Sequence, residues 1–184
     1  MKYSLYSVIN SDYNIFGKIW INSAIDKLDM DDIENIFLVN SGLNKSDRDY
    51  FSGFDKVTIV DSGISTNLSQ GVHGKGWLDT VKMKTKILMD VIDVNNSYPI
   101  VMVDLDCMFI RDISYLIDES FDIQACFRGW ENPHAPYLAC FTVVNNSKGR
   151  EFLKIWNSYI DGIKTPNKES PALTKAVKLH GDKF

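Results

Sequence analysis

A chain of 184 residues has room for one α/β domain with a substantial hydrophobic core and is too short for two ordinary domains. Its net charge of −4 comes from scattered acidic and basic residues, which argues against a nucleic-acid partner because no basic footprint for phosphate contacts exists. The three cysteines, Cys107, Cys126 and Cys140, lack CxxC spacing and read as small buried hydrophobes of core strands in a reducing compartment. No eighteen apolar residues run together, so no membrane-spanning segment is expected, and the expected location is the cytoplasm.

The opening MKYSLYSVIN is too short for a signal-peptide core and reads as a first strand over residues 2–9. Ile21, Ala24, Ile25 and Leu28 recur at helical spacing, and IFLVN (36–40) and KVTIVD (56–61) read as strands around a polar stretch with room for a short helix. Residues 62–77, rich in Gly, Ser and Asn without apolar period, read as a long loop. Met83, Ile87, Leu88, Val91 and Ile92 mark a helix of three to four turns. IVMVDL (100–105) is apolar at every position before Asp104, as in a central strand covered on both faces. A short helix (113–117), strands at 122–127 and 138–144, a helix near 148–161 and a last helix starting near Glu169 complete the order. Strands alternating with helices predict an α/β fold with a mostly parallel central sheet flanked by helices, as one domain over 1–184.

Asp104 and Asp106 stand where that buried run leaves the core, and ligand sites of open α/β sheets lie at such strand ends. In extended chain, residues two apart point the same way, so both carboxylates face one cation. Hard oxygen ligands suit Mn²⁺ or Mg²⁺ completed by water and substrate phosphate. The bland alternative is that the two aspartates merely end the strand.

The segment YPIVMVDLDCMFIRDISYLID resembles the metal-binding D-x-D region of GT-A glycosyltransferases. In the same order, VKMKTKILMDVI resembles their lysine-bearing helix, YLACFTVVNNSKGREFLKIW a later strand and helix, and ESPALTKAV their acidic segment near the acceptor. These matches span roughly residues 80–180, with a looser one at the first strand and its Asn-Ser-Asp-Tyr end. The resemblance implies a metal-dependent transferase, with a nucleotide-diphosphate sugar as donor and a carbohydrate, lipid-linked or protein acceptor. Family members usually run on past the acidic helix, so the resemblance implies a C-terminally short member.

Asp106 is then expected to ligate the metal directly, and Asp104 to ligate it or to act through water or a ribose hydroxyl. Lys84 shares the inward face of its helix with Ile87, Leu88 and Val91, so it either snorkels outward or meets an anion; the resemblance implies phosphate. Asn10, Ser11, Asp12 and Tyr13 end the first strand as ordinary turn chemistry, at a place where the resemblance implies base and ribose binding. Glu169 suits the first turn of its helix and, by resemblance, faces the acceptor as a base. His180 in HGDK is similar to a metal-ligating His-x-x-Gly-x-x-Lys segment of glycogenin-like enzymes, with compressed spacing. GVHGKGW, with His73, Lys75 and Trp77, lacks P-loop spacing and reads as a linker or a loop closing over the donor. Arg128, Trp130, Glu131 and His134 are candidates for the sugar or acceptor pocket. Two other readings are a nucleotide-sugar-binding module without turnover and a haloacid-dehalogenase-like phosphatase, whose D-x-D usually lies near the N-terminus.

Overall fold

The computed structural model describes residues 1–66, 75–94, 97–129, 131–145, 147–163 and 168–181. In the first strand, β1 (Tyr3–Ile9), side chains alternate between two cores: Tyr3, Leu5 and Ile9 enter one, Tyr6 and Val8 the other. β1 is therefore covered on both faces. β2 (Ile33–Asn40) and β4 (Ile100–Val103) pair in parallel with it, and β3 (Val57–Asp61) pairs in parallel with β2, in the order β3-β2-β1-β4. All four residues of β4 are buried, as its unbroken apolar run predicts.

β5 (Ile123–Phe127) and β6 (Tyr137–Val144) extend the sheet to six strands in the order β3-β2-β1-β4-β6-β5. β6 is antiparallel to both neighbours. The link from Phe127 to Tyr137 is too short for a crossover helix, so the chain turns back as a hairpin.

Helices cover both faces. α1 (Asn14–Lys27) and α2 (Lys45–Ser52) bury Trp20, Ile21, Ala24 and Phe51 against one face. Ile25, read from sequence as part of the apolar stripe of α1, is 40% exposed, so the buried stripe is narrower than its spacing suggests. On the other face lie α3 (Lys75–Val94), α4 (Ser147–Ile160) and α5 (Glu169–His180), which share one core with Tyr6 and Met102. Ser114–Leu116 forms a single 3-10 turn where a short helix was expected.

α3 is 20 residues long, well beyond the expected three to four turns. Lys75, Gly76 and Trp77, read from sequence as loop, form its first turn; residues 67–74 of that loop, including His73, lie outside the described residues. A helix N-terminus tolerates glycine, and Trp77, Thr80, Val81 and Lys84 continue one helical face into the site. Among the described residues no helix is long and apolar enough to cross a membrane.

Candidate active site

β4 ends at Val103, one residue before the first aspartate. The Asp104 N–H donates to the Cys140 carbonyl on β6 (2.9 Å), and the Cys107 N–H donates back to the Asp104 carbonyl (3.0 Å), closing a turn over residues 104–107. The two aspartates are therefore not on extended chain, and the alternation argument for their pairing is corrected. The turn nonetheless brings both to one cleft, Asp104 half-buried and Asp106 exposed.

Lys84, 6% exposed on α3, fills the wall beside them. Its Nζ lies 2.5 Å from Asp104 Oδ1 and 2.5 Å from Glu169 Oε1, so the helical face read from sequence leads to a buried ion triad. Burial alone disfavours the ammonium charge, but the Asp104 and Glu169 carboxylates override it and hold the Lys84 pKa above its usual value. Glu169 opens α5 and is itself buried; burial outweighs the pull of Lys84 and raises its carboxyl pKa to about 7. One ammonium does not neutralise two carboxylates, and the deeper carboxyl keeps its proton longer. The backbone of Glu169 is fixed by Trp156 Nε1, which donates to its carbonyl (3.1 Å).

The cleft encloses about 140 Å³ and is walled by β1, α3, the 104–107 turn and the start of α5. Asn10 lines it, but its amide also holds the adjoining turn: Oδ1 accepts from the Tyr13 N–H (3.2 Å) and Nδ2 donates to the Thr66 carbonyl (3.3 Å). Across from it sits Ser41, followed by Gly42 at φ 134°, where a side chain would be strained and would press on Thr66 O. Ser11 is tied to α2, donating to Asp47 Oδ2 (2.8 Å) and accepting from the Asn44 N–H (2.8 Å), and Asp12 is exposed. Neither Ser11 nor Asp12 lines the cleft.

His180 is not brought to the aspartates. It lies at the opposite end of α5 from Glu169, roughly 16 Å along the axis. There its Nε2 sits 2.9 Å from Tyr159 Oη and the two rings stack. Arg128 braces the β5–β6 loop through Ala135 O (2.8 Å); Glu131 and His134 are exposed on that loop, and Trp130 lies outside the described residues.

Sequence reading passed over Ser7, Ser41 and Thr80, all of which line the cleft, and took Trp77 for loop; Tyr13, read as part of the polar segment that ends the first strand, lines the cleft as well. The spacing of Trp77, Thr80, Val81 and Lys84 carried a usable helical signal; Ser7, within β1, and Ser41, just past the end of β2, carried none. Tyr13 is close enough that burial, then Asp106 and Asp104, raise its pKa. The cysteines also differ from expectation, since all three are half-buried and Cys107 lies in the turn, not in a strand. The Cys107 thiol hydrogen-bonds to Cys140, which raises the pKa of Cys107 and lowers that of Cys140 to about 7.

Among the described residues no group of three or more His, Cys, Asp or Glu side chains is arranged to hold a metal. The cleft does carry three carboxyl groups against one ammonium, an excess of negative charge that a diphosphate by itself would worsen. Two hard carboxylates with the remaining positions left to water and phosphate is the usual way Mg²⁺ is held, so Asp104 and Asp106 fit such an ion.

A mostly parallel sheet with one antiparallel strand, helices on both faces and a cleft at the C-terminal end of β4 make up the GT-A fold of nucleotide-diphospho-sugar transferases. No protein-family model matches the sequence, and no curated protein matches it. Similar solved structures include the galactosyltransferase LgtC in complex with donor and acceptor sugar analogues, at TM-score 0.62 and 10% identity over 95% of this chain and 70% of LgtC. An active-site mutant of LgtC aligns at TM-score 0.63 and 12% identity, covering 95% of this chain and 69% of that one. The WbbM bifunctional glycosyltransferase, solved in its apo form, aligns at TM-score 0.63 and 13% identity over 95% of this chain, which spans 37% of WbbM. At such identities the likeness establishes the fold and leaves the chemistry to the site.

Proposed function

We propose that this chain is a metal-dependent glycosyltransferase that moves a sugar from a nucleotide-diphosphate donor to an acceptor hydroxyl. The observation that carries the reading is the triad of Asp104, Lys84 and Glu169 beside the exposed Asp106, at the cleft of a GT-A fold. LgtC, with the same fold, was solved with donor and acceptor sugar analogues bound, which supports a donor site here.

Each residue has a role in this reading. Asp104 and Asp106 would hold Mn²⁺ or Mg²⁺, which would supply positive charge to offset that of the departing diphosphate. Lys84 orients Asp104 and keeps one N–H for a phosphate oxygen. Asn10, Tyr13, Ser7 and Ser41 line the end of the cleft suited to base and ribose. Glu169, with its pKa at about 7, is matched to taking the acceptor hydroxyl proton at neutral pH.

Calorimetric titration with uridine and guanosine diphosphate sugars, with and without Mn²⁺, tests the donor site. Metal-dependent binding that disappears in Asp106→Ala is the expected result. Absence of binding by either donor with Mn²⁺ present overturns the reading.

A further inference from the structure

The turn that presents the two aspartates also carries a pair of thiols. In the sheet, Ala125 of β5 pairs with Thr142 of β6, but the next residue, Cys126, pairs with Leu138, so Ala139, Cys140 and Phe141 bulge from that ladder. On its other edge β6 keeps its pairing with β4 up to Val103 and Phe141, and one step further the Cys140 carbonyl takes the Asp104 N–H (2.9 Å). The bulge thus holds Cys140 against the first residue of the aspartate turn.

Cys107 closes that turn, its N–H donating to the Asp104 carbonyl (3.0 Å). There the Cys107 and Cys140 thiols hydrogen-bond to one another. Both are free and half-buried, so the pair is open to small solutes. Neither sulfur has a part in the transfer chemistry, yet Asp106 stands next to one of them in the chain and Asp104 is hydrogen-bonded to the backbone of the other. Two accessible thiols already in contact are the arrangement in which one sulfur, once oxidised, is captured by its neighbour.

We propose that Cys107 and Cys140 are a reversible oxidation site, closed to a disulfide by hydrogen peroxide, and that the disulfide holds the aspartate turn in a form that binds metal and donor poorly. The second half rests on the glycosyltransferase reading. One thiol sulfur attacks the O–O bond of the peroxide, becomes a sulfenic acid and releases water. The other sulfur displaces the hydroxyl from it, and a second water leaves as the S–S bond forms. Two thiols lose two electrons and two protons, and the peroxide takes them up. A covalent S–S bond is shorter than a thiol contact, so it draws Cys107 toward β6, and Asp106, one residue away, moves with it.

The test treats the reduced full chain with hydrogen peroxide and maps its peptides by mass spectrometry without reductant. Expected is the Cys107 peptide joined to the Cys140 peptide, with Cys126 still a free thiol. The link is expected to open with dithiothreitol, to be kept in Cys126→Ser and to be lost in Cys107→Ser and in Cys140→Ser. A link through Cys126, links between chains only, or sulfinic acid without any link would each sink the proposal. Calorimetry with Mn²⁺ and the uridine or guanosine diphosphate sugar that the reduced chain binds then compares the two forms. Binding is expected to weaken by about tenfold or more on oxidation, to return once the chain is reduced and desalted, and to be indifferent to peroxide in Cys107→Ser. Equal affinity of the two forms overturns the switching role. Should the reduced chain bind neither donor, the glycosyltransferase reading falls on its own, and amide ¹H–¹⁵N shifts at Leu105 and Asp106 on disulfide formation decide the rest: amides that stay in place overturn it.

Discussion

Lys84 carries one positive charge into a space shared with two carboxyl groups, and their unequal burial decides which of them yields. The Glu169 side chain is 10% exposed and that of Asp104 28%, so the proton settles on Glu169, whose pKa rises from the usual 4.5 to about 7. A carboxyl that binds its proton more tightly when folded stabilises the fold below pH 4.5 and loses that contribution as pH rises through 7. Lys84 follows the same rule at higher pH: its folded pKa is raised, so its contribution stays constant across this window and is lost only in strong alkali. Without added metal, unfolding free energy measured by urea is therefore expected to fall between pH 4.5 and 7, and Glu169→Gln to flatten that slope. An unchanged slope in the variant would place Glu169 outside the titration. The inward face of Lys84 was legible from the spacing of its apolar helix neighbours, but its partners, 20 and 85 residues away in the chain, left no local signal.

Elements meet the site through close contacts that patterning does not show. α4 starts against the hairpin: a Cβ on Gly149 would collide with the Asp122 carbonyl, the same oxygen that accepts from the Asn145 N–H (3.1 Å). The obstacle is backbone, so it does not swing aside as a flexible side chain would. Gly149→Ala is expected to destabilise the protein by about 1–3 kcal/mol, measured by urea unfolding, in spite of alanine's higher helix propensity. A neutral or stabilising result would mean that β5 and α4 separate freely. The length of α3 has a comparable origin. Its first turn packs Trp77 at the cleft, and this tertiary contact overrides the glycine-rich, loop-like composition that masked it.

At the scale of the whole molecule, the cleft exists only because strand order places the C-terminal end of β4 beside that of β1, with α3 and α5 on the same face. A ligand that bridges these elements binds the folded state alone and must raise its stability. With Mn²⁺ and a nucleotide-sugar donor at 100 times its dissociation constant, the gain is expected to be about 2.7 kcal/mol. Differential scanning calorimetry is expected to show that upward shift in Tm, its loss on chelation, and its absence in Asp106→Ala. A shift that persists after chelation would separate nucleotide binding from the metal.

The order of strands alternating with helices, the unbroken apolar run of β4 and the helical period of α3 were enough to settle the α/β class, the buried central strand and the aspartates at its end, because burial patterns are local properties of the chain. Only the tertiary structure decided that a turn and not an extended strand presents Asp104 and Asp106, that Lys84 bridges Asp104 to Glu169, and that His180 supports Tyr159 at the far end of α5. Those outcomes depend on which distant elements pack together and how deeply, and such partners are set by the sheet order and by the desolvation of the whole assembly, not by any neighbouring stretch of sequence.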